Sequence, residues 1–264
     1  MRRLLLLLGL LWLGSVLDAE ATCTSPCVQF KNVSHNGTSS TATFDSTTVT
    51  GNMVVVFVSS YYDGASNAGT PWTVADGACG HTYTSVDSDG SGSFGRVQIF
   101  RAYNITGCAS HAVTVTSSAS APLQVTIVEF TTILTTDPND VTNKSNYVTA
   151  TSSYTSGTAS ATTSNNALLT GLSHWFNTGT TATVGTSGSC TWIEITQYGN
   201  TTTVSDEHIV QYCAVTTTGN YAATGTYSPT PDFSTTTLMA AFKMTGGAAA
   251  VTCTRGLLGV GCDR

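Results

Sequence analysis

Asn52-Met-Val-Val-Val-Phe-Val-Ser-Ser-Tyr-Tyr-Asp63 is the stretch from which the fold of this chain can be inferred. Its apolar run, Met53 to Val58, is β-branched and aromatic and is too short for a stand-alone helix. This indicates a strand that is buried on both faces. The pattern returns at 166–177 as Asn-Ala-Leu-Leu-Thr-Gly-Leu-Ser-His-Trp-Phe-Asn. Two copies of one central strand predict a β-sandwich built from two related halves.

Further segments repeat at a separation of about 110 residues, which is too long for a propeller blade or a solenoid turn. The sequence therefore predicts an all-β, jelly-roll-like β-sandwich at 22–245. Its halves are expected at about 22–133 and 147–245. A Ser/Thr-rich crossover with one or two weak edge strands would join them, although a flexible linker between two domains is the alternative. Residues 246–264 have no counterpart and predict a small C-terminal disulfide loop.

The N-terminus has the pattern of a secretory signal peptide. Arg2 and Arg3 precede an apolar run from Leu4 to Leu13, and small residues at Ala19 and Ala21 predict cleavage after Ala21. The apolar run is shorter than the roughly 20 residues of a transmembrane helix. We therefore expect a mature chain that begins at Thr22, is secreted or displayed at the cell surface, and does not insert into a membrane.

The composition is poor in charge: only 9% of the residues are Asp, Glu, Lys or Arg, whereas an ordinary soluble domain has about 25%. The net charge is −6 and no basic cluster is present, which argues against nucleic acid as a partner. Disorder is also disfavoured, because disordered chains lack such apolar and aromatic strands.

All eight cysteines follow the signal peptide, so disulfides are expected. No Cys-x-x-Cys zinc or redox motif occurs. Cys79 and Cys108 are symmetric about one predicted hairpin turn, and Cys190 and Cys213 about another, which predicts two cross-strand bridges. The remaining cysteines either form two small loops or tie the two ends together; these are Cys23, Cys27, Cys253 and Cys262.

Polar motifs suggest modification and a weak metal site. Five Asn-x-Ser/Thr sequons fall in predicted turns and are candidates for glycosylation, namely Asn32, Asn36, Asn104, Asn143 and Asn200. Asp87-Ser-Asp89-Gly-Ser-Gly resembles the start of a calcium loop. It lacks the further oxygens that Ca²⁺ needs, so a plain turn is favoured and no cofactor other than a weakly supported Ca²⁺ is expected.

The candidates for ligand binding are aromatic and carboxylate side chains in strands. Tyr61, Tyr62, Trp72 and Trp175 stand at or near strand ends and could stack on sugar rings, although half or more of the chain's strand aromatics should be core. Glu129 and Glu194 are the two carboxylates expected inside strands, where a glycosidase could use such a pair, but no flanking motif accompanies them. No nucleophile elbow or Ser-His-Asp pattern is apparent, so no catalytic residue is assigned.

Several short motifs occur in a characteristic order between about residues 40 and 243. They resemble a loosely defined group of uncharacterised secreted bacterial β-sandwich proteins, and the resemblance implies the fold but no catalytic residues. The group's usual Gly-Asn-Thr-Tyr reads Gly80-His-Thr-Tyr83 here, and the cysteines and the tail are departures. The motifs are Asn52-Met-Val-Val-Val, Val74-Ala-Asp-Gly-x-x-Gly-His-Thr-Tyr83, Ala102-Tyr-Asn104, Val113-Thr-Val-Thr, Val128-Glu-Phe130 and Ala240-Ala-Phe-Lys243.

These patterns favour a non-catalytic structural or adhesive protein of the outer surface, glycosylated, self-associating or both. Its expected partners are copies of itself or glycans. The segment 147–163 is a long Thr/Ser/Ala edge whose only nearby basic residue is Lys144, which makes it the expected contact edge. A lectin-like carbohydrate-binding protein is the alternative, and a glycan-active hydrolase is the third hypothesis.

Overall fold

The computed structural model describes residues 23–60, 72–89, 95–148, 151–157, 162–164, 166–176, 179–200, 206–231 and 235–245. These residues form an all-β protein, as the sequence predicts, with no helix in any of the described ranges. The strands are β1 (Cys27–Thr43), β2 (Met53–Ser60), β3 (Thr73–Ala75), β4 (Thr84–Asp89), β5 (Arg96–Tyr103), β6 (Ala112–Phe130), β7 (Asn139–Val148), β8 (Ser153–Thr155), β9 (Ala167–Phe176), β10 (Thr181–Val184), β11 (Thr186–Ser187), β12 (Cys190–Thr191), β13 (Ile193–Asn200), β14 (Asp206–Val215), β15 (Thr224–Ser228) and β16 (Thr235–Lys243).

The two halves repeat one strand order. In the first half the large antiparallel sheet has the order β1-β6-β2-β5-β4, and in the second half it has the order β7-β16-β9-β14-β13. Each predicted central strand, β2 and β9, is the third of the five strands in this order, and β3 is a sixth strand of the first sheet that pairs with β6. The sequence prediction of two related halves is thus confirmed by the topology.

Each large sheet is covered on its outer side by three short strand segments. In the second half β10, β15 and β8 form a separate sheet. In the first half the long strands β1 and β6 curl over and pair with each other, and β3 pairs with β6. Apolar side chains fill the space between each large sheet and its cover, for example Val56 and Val115 in the first half and Leu169 and Ala223 in the second.

The inner faces of the two large sheets pack against each other. One apolar cluster joins Phe57, Ile99 and Phe130 of the first half to Leu172 and Leu238 of the second. The sheet stack therefore has four layers, and every described residue of β2 is buried, as expected for a strand covered on both faces. The continuous apolar run at 53–58 is explained by this double burial.

The contacts between the large sheets obey a pseudo-twofold rotation. The edge strand β1 contacts β13 on one side of the molecule, and its counterpart β7 contacts β4, the counterpart of β13, on the other. Single side chains repeat the relation: Asn32 Nδ2 donates to Thr196 Oγ1 at 2.8 Å, and Lys144 Nζ lies 3.5 Å from Asp87 Oδ1. The halves thus meet as the two subunits of a symmetric dimer would.

The ladder registers fix which residues of the halves are equivalent. Met53 lies opposite Phe130, and Leu168 lies opposite Phe242, with all four side chains in the layer between the halves. Met53 therefore corresponds to Leu168. A register shift also recurs at the same place, just after Ser85 in β4 and just after Glu194 in β13.

The alignment of 52–63 with 166–177 by identical residues is one residue out of phase with this structural equivalence. It matches Ser59 with Ser173, yet Ser59 faces the layer between the halves and contacts His208, whereas Ser173 faces the second half's interior and contacts Tyr227. A shift of one residue moves a strand side chain to the other face of the sheet. The structural counterpart of Ser59 is His174.

The crossover contains more structure than its composition suggested. β7 is a ten-residue edge strand of the second large sheet, so strand pairing places residues from Asn139 onward in the second half. β8 lies inside the expected contact segment 147–163 and pairs with β15.

Three disulfides lie in the described residues. Cys79–Cys108 and Cys190–Cys213 have Cα–Cα distances of 5.9 Å, and they are the two pairs that the hairpin symmetry predicted. Cys23 pairs with Cys27 in a small loop, which selects one of the two alternatives for that end. Cys253 and Cys262, like the signal peptide, lie outside the described residues.

Three disulfides are typical of an extracellular protein. None of the described segments forms a helix long and apolar enough to cross a membrane.

Candidate functional site: an aspartate–histidine cluster beside a surface groove

Of the four aromatic residues expected to bind ligands, the two that the structure describes lie in the core. Trp175 is fully buried and packs against Tyr227, and Trp72 is 5% exposed and packs in the first half's interior. Neither of these two tryptophans contributes to a binding surface, because Trp175 lies under β15 and Trp72 packs beneath the covering strands of the first half. Tyr61 and Tyr62 fall outside the described residues.

The sequons do not all lie in turns. Asn32 and Asn36 lie within β1, Asn143 lies within β7 and Asn200 ends β13, so only Asn104 follows a strand directly into a turn. Asn36 and Asn104 are exposed and accessible to a glycosyltransferase.

Two of the sequon side chains are less accessible than their sequence context suggested. Asn32 is half-buried, because its amide bridges Thr196 and Thr126. Asn143 is also half-buried, and its amide nitrogen is enclosed.

Asp87 and Asp89 are strand residues rather than turn residues. Both belong to β4, where Asp87 is close to Lys144 and Asp89 is buried. The segment 90–94, which would supply further oxygens to a calcium ion, lies outside the described residues. The calcium site therefore stays a prediction.

Glu129 and Glu194 do not form a pair. Glu129 is fully buried and its carboxylate accepts hydrogen bonds from Gln29, Val49 and Asn52, all within the first half. Glu194 belongs to the second half, where it is exposed on β13 and partial desolvation raises its pKa.

The faces of the two large sheets separate these carboxylates. Glu129 lies opposite Val54, which faces the first half's interior, and Glu194 lies opposite Gln211, whose side chain contacts the second half's Tyr154. The two side chains thus lie on opposite faces of the stacked large sheets, Glu129 in the first half's interior and Glu194 at the exposed surface of the second half, so they are not arranged as a glycosidase pair.

A different polar cluster occupies one corner of the first half. It consists of Asp76, His81 and His111, and we call it the Asp–His cluster. Asp76 Oδ2 lies 2.5 Å from His81 Nδ1 and 3.2 Å from His111 Nε2. The Asp76 and His111 side chains are almost fully buried, whereas the His81 side chain is 11% exposed.

Tight turns and a disulfide hold the cluster together. Asp76 follows β3 directly, and the chain from Asp76 to His81 bends back through Gly77 and Gly80, whose positive φ values of 51° and 73° favour glycine. The backbone N–H of His81 donates to both carboxylate oxygens of Asp76. Within this turn, Cys79 is bridged to Cys108, just ahead of His111.

The outer nitrogens of both imidazoles have protein partners. His81 Nε2 lies 3.1 Å from both the backbone N and the backbone O of Thr106, and His111 Nδ1 lies 3.1 Å from Thr48 Oγ1. Tyr83 Oη lies 3.0 Å from His111 Nε2. These contacts fix both ring planes with their inner nitrogens directed at Asp76.

Burial sets the protonation states around the cluster. It lowers the pKa of His111 despite the opposing effect of the Asp76 carboxylate, and it raises the pKa of Tyr83, with Asp76 acting in the same direction. His111 is therefore neutral at neutral pH and Tyr83 keeps its proton.

A surface groove of about 370 Å³ opens beside His81. The guanidinium of Arg101 lies 4.7 Å from the centre of the Tyr103 ring, and Tyr103 is 37% exposed. The groove is lined by His81, Thr82, Thr84, Arg101, Ala102, Tyr103 and Asn104. Only His81 connects the groove to the Asp–His cluster.

Two further histidines, His174 on β9 and His208 on β14, lie between the halves. His208 is fully buried, with Nδ1 2.8 Å from Ser59 Oγ and Nε2 2.8 Å from Thr126 Oγ1. Burial, together with neighbouring His174, lowers the pKa of His208 to about 3. This neutral imidazole links the two halves and is remote from the groove.

The sequence contains only a faint signal of the Asp–His cluster. Asp76 and His81 are five residues apart, a spacing that a search for cysteine and histidine ligands alone passes over. His111 joins them only because β6 begins beside β3, which is a long-range contact.

Comparison of the chain with models of protein families, with curated proteins and with solved structures finds no match.

Proposed function

We propose that the protein is a non-catalytic extracellular structural or adhesive component that associates with copies of itself through the edges of its outer sheets. The supporting observation is an uneven distribution of charge between two kinds of sheet edge. Charged side chains on edge strands block unwanted strand pairing. They are present on the edge strands of both large sheets, as Lys31, Asp87, Asp89, Asp140, Lys144 and Glu194.

The edges of the outer sheets have no such protection. β3, β8 and β10 contain only uncharged residues, and Ser153 and Thr155 of β8 are exposed. Among the described strands β8 pairs with β15 alone, and we propose that its other side accepts a strand from a neighbouring copy. Because the two halves are related by a pseudo-twofold rotation, each molecule has outer edges at both ends, as a chain-forming component requires.

The test is to measure the mass of the mature, disulfide-bonded chain in solution over a wide concentration range. We expect concentration-dependent association that is abolished by Thr155→Lys, which places a charge on the β8 edge. Thr142→Lys is the matched control, because Thr142 is exposed on β7, an edge that already contains Lys144. A wild-type chain that stays monomeric throughout, or a Thr155→Lys chain that still associates, would refute the proposal.

Glycosylation is part of the proposal and has its own readout. Glycans at the exposed Asn36 and Asn104 leave the fold intact, whereas a glycan on Asn32 would displace the amide that bonds Thr196. Mass spectrometry of the chain from a glycosylating host should therefore find Asn36 and Asn104 occupied and Asn32 free. Occupancy of Asn32 at the same level would contradict this assignment.

A carbohydrate-binding role is the second candidate, and the groove supports it. An aromatic ring, a guanidinium and two threonine hydroxyls are the kinds of group that contact sugars. Tyr103→Ala should abolish glycan binding, whereas Tyr198→Ala, a half-buried tyrosine of β13 in the other half, should not. If no glycan in a broad array binds to the wild-type chain, the groove has no such role.

A further inference from the structure

We propose that Asp76, His81 and His111 form a binding site for a divalent transition-metal ion of the Zn²⁺ type. The three ligand atoms are one Asp76 oxygen, His81 Nδ1 and His111 Nε2, and they lie within 4.8 Å of one another. Two imidazoles and one carboxylate make up a donor set that Zn²⁺ accepts. The site is independent of the assembly proposed above.

The electrostatics of the corner favour a cation. The Asp76 side chain is 1% exposed, and the ion pairs it makes within the described chain are with two histidines. A buried carboxylate is costly unless it is paired or bound to a metal. A divalent ion held by Asp76 and two neutral imidazoles would balance that charge.

The surroundings also satisfy the second requirement of a metal site. A histidine that binds a metal through one nitrogen donates the N–H of its other nitrogen to a neighbouring acceptor, which fixes the tautomer. For His81 the acceptor is the carbonyl oxygen of Thr106, 3.1 Å from Nε2. The backbone N–H of Thr106, also 3.1 Å from Nε2, would give up its hydrogen bond to this nitrogen in that tautomer. For His111 the acceptor is Thr48 Oγ1, 3.1 Å from Nδ1.

Thr48 is itself positioned so that its hydroxyl oxygen can accept a hydrogen bond from the N–H of His111 Nδ1. Its hydroxyl oxygen accepts the backbone N–H of Cys108 at 3.2 Å, and its own proton can go to the Cys108 carbonyl at 3.4 Å. His111 can therefore adopt the Nδ1–H tautomer without leaving a buried donor unpaired. The lone pair of Nε2 then faces Asp76 and the Tyr83 hydroxyl, and the hydroxyl would give up its hydrogen bond to Nε2 when a metal binds.

The site would have an open coordination position. Cys79 Sγ lies within the same 4.8 Å, but it is bonded to Cys108 and is not available as a thiolate. Three protein ligands leave a fourth position for water or an external ligand, as in zinc sites that exchange ligands. His81, the exposed member, is the point of access from the groove.

The experiment is a calorimetric titration of the disulfide-bonded mature chain with ZnCl₂ after treatment with a chelator, repeated with CaCl₂. We expect one equivalent of Zn²⁺ to bind and Ca²⁺ not to compete, because Ca²⁺ needs six or more oxygens. His81→Ala and His111→Ala should each weaken Zn²⁺ binding by about 100-fold or more, and Thr48→Val by about 10- to 100-fold. His35→Ala is the matched control, since His35 is an exposed histidine of β1, and should leave the affinity unchanged.

Two further measurements guard against misfolded variants and stray binding. The thermal midpoint of each variant is measured in the presence of chelator, and His81→Ala, at the partly exposed ligand, should keep the wild-type value within a few degrees. Co²⁺ substituted for Zn²⁺ should give the visible absorption of a four-coordinate site in the wild type and lose it in His81→Ala. The proposal is overturned if the wild type binds no Zn²⁺, or if folded His81→Ala binds Zn²⁺ as tightly as the wild type does.

Discussion

The same corner is built differently in the two halves of the protein. Thr84 and Ile193 occupy equivalent ladder positions, and counting back along the chain places His81 opposite Cys190 in the comparison. In the first half this corner holds the Asp–His cluster. In the second half it holds the Cys190–Cys213 disulfide within an apolar cluster.

The neighbouring aromatic residue shows the same contrast. Tyr83 of the first half reaches His111 with its hydroxyl group, whereas its counterpart Trp192 is 2% exposed and donates its indole N–H to the backbone oxygen of Ala222. The layer between the halves fixes the strand registers, and these corners lie outside that layer. A duplicated framework can therefore keep its packing while one copy has a polar cluster beside its disulfide and the other has its disulfide within an apolar cluster.

The largest effect is expected from breaking the layer that the two halves share. Phe57 and Leu172 are equivalent and fully buried there. Phe57→Ala should cost about 3–5 kcal/mol of unfolding free energy and Leu172→Ala about 2–5 kcal/mol, from lost burial plus the cavity. Denaturant unfolding of both variants measures this, and the control is Val49→Ala, at an exposed site. A loss below 1 kcal/mol in both would contradict the shared core.

The second prediction compares the two disulfides. They close loops of similar length, with sequence separations of 29 and 23, so removal of either should cost about 2–4 kcal/mol. The Cys190/Cys213 pair is the more buried, and its double alanine variant should lose more stability than that of Cys79/Cys108. Thermal unfolding of both double variants gives the order. The reverse order would show that the Cys79–Cys108 disulfide stabilises the first half's polar corner more than Cys190–Cys213 stabilises the apolar corner of the second half.

The third prediction concerns a position that is occupied by a polar residue in the second half and by an apolar residue in the first. His208 is equivalent to Val97. The folded pKa of His208 is about 3, below the ordinary 6.5, so below pH 6.5 the unfolded chain takes up a proton that the folded chain does not. Stability should therefore fall as the pH drops from 6.5 towards 3, by roughly 1.4 kcal/mol per unit.

The matched variant for this pH dependence is His208→Val, which copies the first half. It should flatten the slope between pH 6.5 and 3, whereas His35→Ala should leave it unchanged. Unfolding curves at several pH values measure both slopes. An unaltered slope in His208→Val would mean that another group titrates.

The smallest effect is expected at the symmetric bridges between the large sheets. Asn32→Ala removes a half-buried hydrogen bond to Thr196 and should cost about 1 kcal/mol. Lys144→Ala removes the equivalent, more exposed contact with Asp87 and should cost less than about 1 kcal/mol, decreasing further in high salt. Denaturant unfolding at low and high salt separates the two. A salt-dependent loss in Asn32→Ala would contradict this assignment.

The sequence by itself determined what depends on local pattern. The apolar run at 53–58 identified a strand buried on both faces, because a half-buried strand would alternate. The positions of Cys79 and Cys108 about a hairpin turn identified a bridge, because residues equidistant from a turn lie opposite each other. The recurrence of the central strand identified two related halves, and the topology confirms them.

Only the tertiary structure decided which face each side chain uses and which distant residues meet. Alignment by identical residues paired Ser59 with Ser173. Burial between the sheets decides which face of the strand each residue occupies, and identical residue types do not contain that information. Trp175 became core because a covering strand packs on it. Asp76, His81 and His111 meet because β3, β4 and β6 converge at one corner, and no spacing along the chain records that convergence.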